Sequence, residues 1–211
     1  VRTDDLINLI AQDTRPPVEV SKALLLALVM GAATSCVLFF AVLGFRPDVA
    51  DAIETGRFAF KFLVTLSLFS IASSLLSAMV RPGQGATARR WLLLLVPILL
   101  LGAVIVELIV TPSGLWGVRL IGSNAVHCLI VIPLLSFFPG VFLFRAMRNG
   151  APDNPGQAGA IAALASAGIA ATLYASNCPD DSPLFVAIWY SAATLAVVAI
   201  GYFAGLRFLR W

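Results

Sequence analysis

Six long apolar runs, each closed by a polar, proline or glycine break, set the pattern of this chain: residues 22–44, 58–80, 91–110, 124–144, 157–176 and 183–206. Each is close to the roughly 20 residues a helix needs to cross ~30 Å of hydrocarbon. The runs are continuously apolar, whereas the strands of a membrane barrel alternate over about ten residues. The pattern predicts an all-α integral membrane protein, a six-transmembrane-helix bundle. Within run five, Gly159, Ala163, Ala167 and Ala171 recur at every fourth position, and run six carries Gly201 and Gly205. Small residues at that spacing let membrane helices approach closely, so helix five is expected at the centre. Pro97, Pro133 and Pro139 lie inside runs three and four, where a missing amide donor can kink a helix.

Composition supports this reading: 60% of the 211 residues are hydrophobic and 12% charged, more apolar surface than a soluble domain of that size can hide. The chain divides into a polar segment, 1–21, and one six-span domain, 22–211. The opening segment does not have the form of a cleavable signal, which starts basic and has a short apolar core. One side of the bundle holds Arg2, Arg15, Lys22, Arg81, Arg89, Arg90, Arg145, Arg148, Arg207 and Arg210, ten cations in all. The other holds four, Arg46, Arg57, Lys61 and Arg119. The positive-inside rule then predicts both termini in the cytoplasm of a bacterial inner-membrane protein. The net charge of +3 reads as topology and not as a nucleic-acid surface.

On the far side Cys128 and Cys178 stand fifty residues apart in sequence but at one membrane level. An oxidising compartment there permits a disulfide. A metal site is a second reading, and small buried residues, as expected for Cys36, a third. Zinc usually takes three or four protein ligands, and His127, Asp180, Asp181 and Glu107 lie near that level. His127 and Cys128 are adjacent, hence about 100° apart on a helix, which makes a shared ion awkward. Glu107 is the only acid inside a run; it marks either function or a place near the interface. Trp and Tyr near the run ends fit the aromatic belt.

The N-terminal segment is expected to form a short amphipathic helix. Thr3 can cap it, Asp4 and Asp5 complement its dipole, and Leu6, Ile7 and Ile10 form an apolar stripe with Leu9 beside it. So short a helix needs a surface to lie on. Its acids Asp4, Asp5, Asp13 and Glu19 disfavour an anionic leaflet, so a protein partner is expected ahead of membrane lipid.

No Walker loop, H-E-x-x-H, G-x-S-x-G or zinc-finger spacing occurs, and His127 is the only histidine. A non-enzyme is therefore expected. A membrane thiol-disulfide oxidoreductase is an alternative, although it normally needs two cysteine pairs; a small membrane carrier is another.

Several segments, taken in order, resemble one family: Arg2-Thr3-Asp4-Asp5-Leu6-Ile7 with Pro17-Val18, Arg145-Ala146-Met147-Arg148-Asn149-Gly150-Ala151-Pro152, Ala158-Gly159-Ala160, Tyr174 through Cys178, Trp189-Tyr190 and the closing Leu206-Arg207-Phe208-Leu209-Arg210-Trp211. Together they are similar to the NrsF-type six-span anti-sigma factors, negative regulators of extracytoplasmic-function sigma factors. The resemblance implies a sigma factor held at the cytoplasmic face, with no direct nucleic-acid contact. It implies that Cys128 and Cys178 sense oxidants or thiophilic metals, with zinc as a plausible ligand of the reduced pair. It makes Thr3, Asp4, Asp5, Leu6, Ile7, Leu9 and Ile10 the expected sigma-binding element, with loops 81–90 and 145–156 beside it.

Overall fold

A computed structural model of the chain describes residues 20–79, 89–150 and 152–209. The expected sigma-binding residues Thr3 to Ile10 and most of loop 81–90 lie outside the described residues. All regular structure among the described residues is helical. Six helical stretches are long and apolar enough to cross a membrane, in agreement with the hydropathy pattern. Their main helices are α1 (Val20–Val42), α2 (Gly56–Met79), α3 (Leu95–Val110), α4 (Ala125–Met147), α5 (Pro155–Ala175) and α6 (Ser191–Phe208). A short helix, Val49–Ile53, follows α1, and another, Trp116–Ile121, precedes α4. A single π-helical turn, Val186–Tyr190, leads into α6.

Local chemistry explains where the helices depart from the apolar runs. Helix α5 begins at Pro155, before its run, because the Asn154 side-chain oxygen accepts a hydrogen bond from the Gln157 amide at 3.0 Å. Proline at the first helical position needs no partner for its nitrogen. Helix α4 continues through Arg145 to Met147. A cation there complements the carbonyl end of the helix and keeps its head in water.

Helix α5 is the hub, packing on α6, α2 and α4. Of its most apolar stretch 72% is buried, against 11% for the third span, so it is central and α3 peripheral. The small residues make this packing direct. A Cβ built on Gly159 would lie 2.8 Å from the Gly205 Cα, and one on Gly201 would lie 2.7 Å from the Gly159 carbonyl oxygen. Ala163 and Ala167 continue this seam against Val197.

The junction of α1 with α4 is keyed differently. Pro139 has no N–H to give to the Leu135 carbonyl one turn back, yet α4 runs through it unbroken. The buried Ser35 hydroxyl of α1 donates to that carbonyl at 2.7 Å. Gly31, one turn earlier in α1, leaves room for the proline ring: a Cβ there would come within 2.6 Å of the Pro139 Cα. A backbone acceptor freed within an apolar, span-length helix is thus satisfied by a neighbouring helix.

Candidate functional site

The far end of the bundle, where α1 and α5 finish and α2 and α4 begin, gathers the chemistry. Cys128 sits in the first turn of α4, and its amide donates to the Asn124 carbonyl at 2.9 Å. Cys178 follows α5, and its amide donates to the Tyr174 carbonyl at 3.0 Å. Both thiols are free and have no exposed surface. They belong to one buried cluster with Phe39, Tyr174, Phe185 and Tyr190. The rings of Tyr174 and Tyr190 lie 5.9 Å apart in that cluster. The Tyr190 hydroxyl is buried with no hydrogen-bond partner among the described residues. The structure thus brings together the two cysteines that hydropathy placed at one level, while Cys36 stays apart and half-buried in α1.

What closes this pocket is a set of ion pairs that hydropathy does not reveal. Lys61 lies one turn inside α2 and is fully buried. Its ammonium donates to the Cys178 carbonyl at 2.8 Å and pairs with Asp181 Oδ1 at 2.6 Å. Arg46, also buried, reaches Asp181 Oδ2 at 2.7 Å and the Cys178 carbonyl at 3.4 Å. The same guanidinium grips Asp48 with two bonds, at 2.6 and 2.7 Å. Asp180 points the other way. Its Oδ2 accepts from the Asn124 amide at 2.9 Å and the Ser123 amide at 3.1 Å, capping α4 from outside that helix. A carboxylate at a helix N-terminus is favoured by both the orphan amides and the helix dipole. This cap holds the Cys178 loop against the turn that carries Cys128.

Glu107 resolves into a third anchor. It is 5% exposed at the end of α3 and held by side-chain partners. It pairs with Arg57 of α2 at 3.0 Å and with Arg119 of the helix Trp116–Ile121, and it accepts from Thr111. All four far-side cations of the topology count are therefore paired with carboxylates. Lys61 is a buried structural charge within α2.

These surroundings set the chemistry of the thiols. Burial pushes the Cys178 thiol up from its ordinary range, and the nearby Lys61 ammonium only partly opposes it. A thiol kept protonated and sealed is a poor nucleophile and a poor metal ligand. In this arrangement neither thiol is open to a reagent in solution. Arg46 holds the Asp48 carboxyl down to about 2, chiefly through their hydrogen bonds.

The donor set does not fit zinc. Two thiols are present, and among the described residues no group of three His, Cys, Asp or Glu is placed to hold a metal. His127 is exposed, turned about 100° from the buried Cys128 as helix geometry requires, so the expected third ligand is not at the site. Of the nearby carboxylates, Asp181 and Glu107 are paired with cations and Asp180 accepts from the Ser123 and Asn124 amides.

These features define an all-helical protein with six potential membrane spans and a thiol pair sealed under an ion-paired loop. The chain belongs to the family described as Negative regulator of sigma F, NrsF, whose model matches residues 10–211. It is 34% identical to the anti-sigma-F factor NrsF of Caulobacter vibrioides and 28% identical to the probable anti-sigma-F factor NrsF of Azospira oryzae. Both alignments cover all of this chain and all of the relative. No solved structure matches.

Proposed function

We propose that this chain is a non-enzymatic anti-sigma factor of the bacterial inner membrane. It holds an extracytoplasmic-function sigma factor at its cytoplasmic face and releases it when Cys128 and Cys178 meet an oxidant or a thiophilic metal ion on the periplasmic side. The observation that carries the sensing role is the convergence of two free, fully buried thiols from distant segments in one cluster. Family membership supports the sigma-factor role.

In the resting state the Asp180 cap and the Asp181 ion pairs hold the loop closed. When it opens, a two-electron oxidant takes two electrons from the thiols, both protons leave to water, and one S–S bond forms. A soft ion instead displaces both protons and is held by two thiolates, ligands suited to such metals. Either product prevents the original packing of Tyr174, Tyr190 and Phe185 from re-forming. Because α5 begins at the opposite end and packs on three other helices, a shift at its end changes the population of a sigma-binding state. About 1.4 kcal/mol of differential affinity changes occupancy tenfold.

The test is co-purification. Tagged protein drawn from membranes should carry a sigma factor, lose it after oxidant or metal exposure, and keep it after the same exposure when Cys128→Ser and Cys178→Ser are combined. Normal release from the double variant would remove the sensing role; absence of any sigma factor in resting cells would remove the anti-sigma role.

A further inference from the structure

At the other end of the bundle, α4, α5 and α6 leave a lateral groove of about 530 Å³. Its walls are apolar, with Pro133, Phe137, Gly140 and Phe144 on one side and Ala163 and Ile200 on the others. Two hydroxyls reach it, but Ser136 donates to the Ile132 carbonyl at 2.6 Å and Ser166 to the Ala162 carbonyl at 2.8 Å, so both are satisfied within their own helices. No acidic residue lines it. Arg145 and Arg148 stand at its end, one turn apart, both exposed and with no ion pair among the described residues.

We propose that this groove binds an anionic phospholipid, with one acyl chain between α4 and α6 and the phosphate on Arg145 and Arg148. Length supports this occupant. From Pro133 to Phe144 a helix rises ~16 Å, while one leaflet contributes about half of the ~30 Å hydrocarbon core, ~15 Å. The groove is thus about one leaflet deep, and the arginines fall at the headgroup level. Charge supports it as well. Basic pockets between membrane helices attract anionic headgroups, and arginine forks match phosphate geometry. A soluble partner would leave the apolar walls facing lipid, whereas an acyl chain covers them and adds no unpaired polar group. The site does not involve the thiol pair, and its arginines belong to the loop 145–156 expected beside the sigma-binding element.

The experiment is native mass spectrometry of the full chain in detergent, titrated with dioleoyl phosphatidylglycerol or dioleoyl phosphatidylcholine, which share acyl chains and differ in charge. The wild-type protein should bind one phosphatidylglycerol with about tenfold preference. Arg145→Gln with Arg148→Gln should reduce that binding to the phosphatidylcholine level, and lysine at both positions should retain most of it. Gly140→Leu should weaken both lipids by filling the groove; Ile200→Trp does the same from the opposite wall if the first variant fails to fold. Equal binding of the two lipids by wild type, unchanged preference in the glutamine variant, or a second copy of the chain in place of lipid would each overturn the proposal.

Discussion

The two ends of this bundle solve the problem of holding helices together in opposite ways. At the far end, charge does it: Lys61, Arg46 and Asp181 bind the Cys178 loop to α2 and to the segment that follows α1, and Glu107 binds α3 to α2. At the near end, absence of side chains does it: Gly159, Gly201 and Gly205 let α5 and α6 meet backbone to backbone. The first arrangement depends on matched partners and is sensitive to the loss of one of them. The second depends on shape and is insensitive to charge or pH. A switch placed at the charged end can respond to chemistry while the glycine seam keeps the bundle assembled.

The contrast is most severely tested by Lys61→Met. It strands Asp181 half-buried with only Arg46 beside it, and breaking a buried pair from one side costs about 3–5 kcal/mol. Melting in detergent should show the loss, and Lys61→Met with Asp181→Leu should recover much of it. A single variant as stable as wild type would mean that the buried pair contributes nothing. Next in size is Gly159→Leu, which drives atoms into the Gly205 backbone and should cost about 1–3 kcal/mol. Its stability deficit should not change with pH, and a deficit that did so would blur the distinction between the ends.

Asp180→Ala removes the outside cap of α4 and should cost about 0.5–2 kcal/mol. Its sharper readout is maleimide labelling of Cys128 and Cys178, which should speed up as the loop loosens, with Cys36 unchanged. Equal labelling in both proteins would show that Asp180 does not hold the lid. The smallest effect concerns Asp48. Its folded value, about 2, lies below the ordinary 3.8. A depressed acid stabilises above its unfolded value, and that contribution is lost as pH falls from about 4 towards 2. Asp48→Asn should flatten the stability curve in that window alone. A curve as steep as that of wild type would remove Asp48 from the acid response.

The six helices and the central place of α5 are legible in the sequence because both rest on composition and on regular spacing along one helix. The meeting of Cys128 and Cys178 is half legible: hydropathy gives their level, whereas the packing of Tyr174, Tyr190 and Phe185 gives their neighbourhood. The ion pairs are not legible, since Lys61 and Asp181 come from distant segments and no local pattern links them. A lysine one turn inside an apolar run was the available signal, because a cation at that depth needs a partner. The Asp180 cap is hidden for the same reason. His127 shows the limit of reasoning by level: depth along the membrane is shared by neighbours, but direction around a helix separates them.

The notch between α1 and α4 has a mechanical consequence. Sliding α1 like a piston, or turning it about its own axis, would pull Ser35 from the Leu135 carbonyl and Gly31 from the proline ring, leaving a bare acceptor in a medium that offers it nothing. Those two motions are therefore costly, while a tilt of α1 and α4 as one rigid lever leaves the notch intact. Whatever is hung from the start of α1 must then be moved by leaning, with α4, whose opposite end carries Cys128, as the other arm.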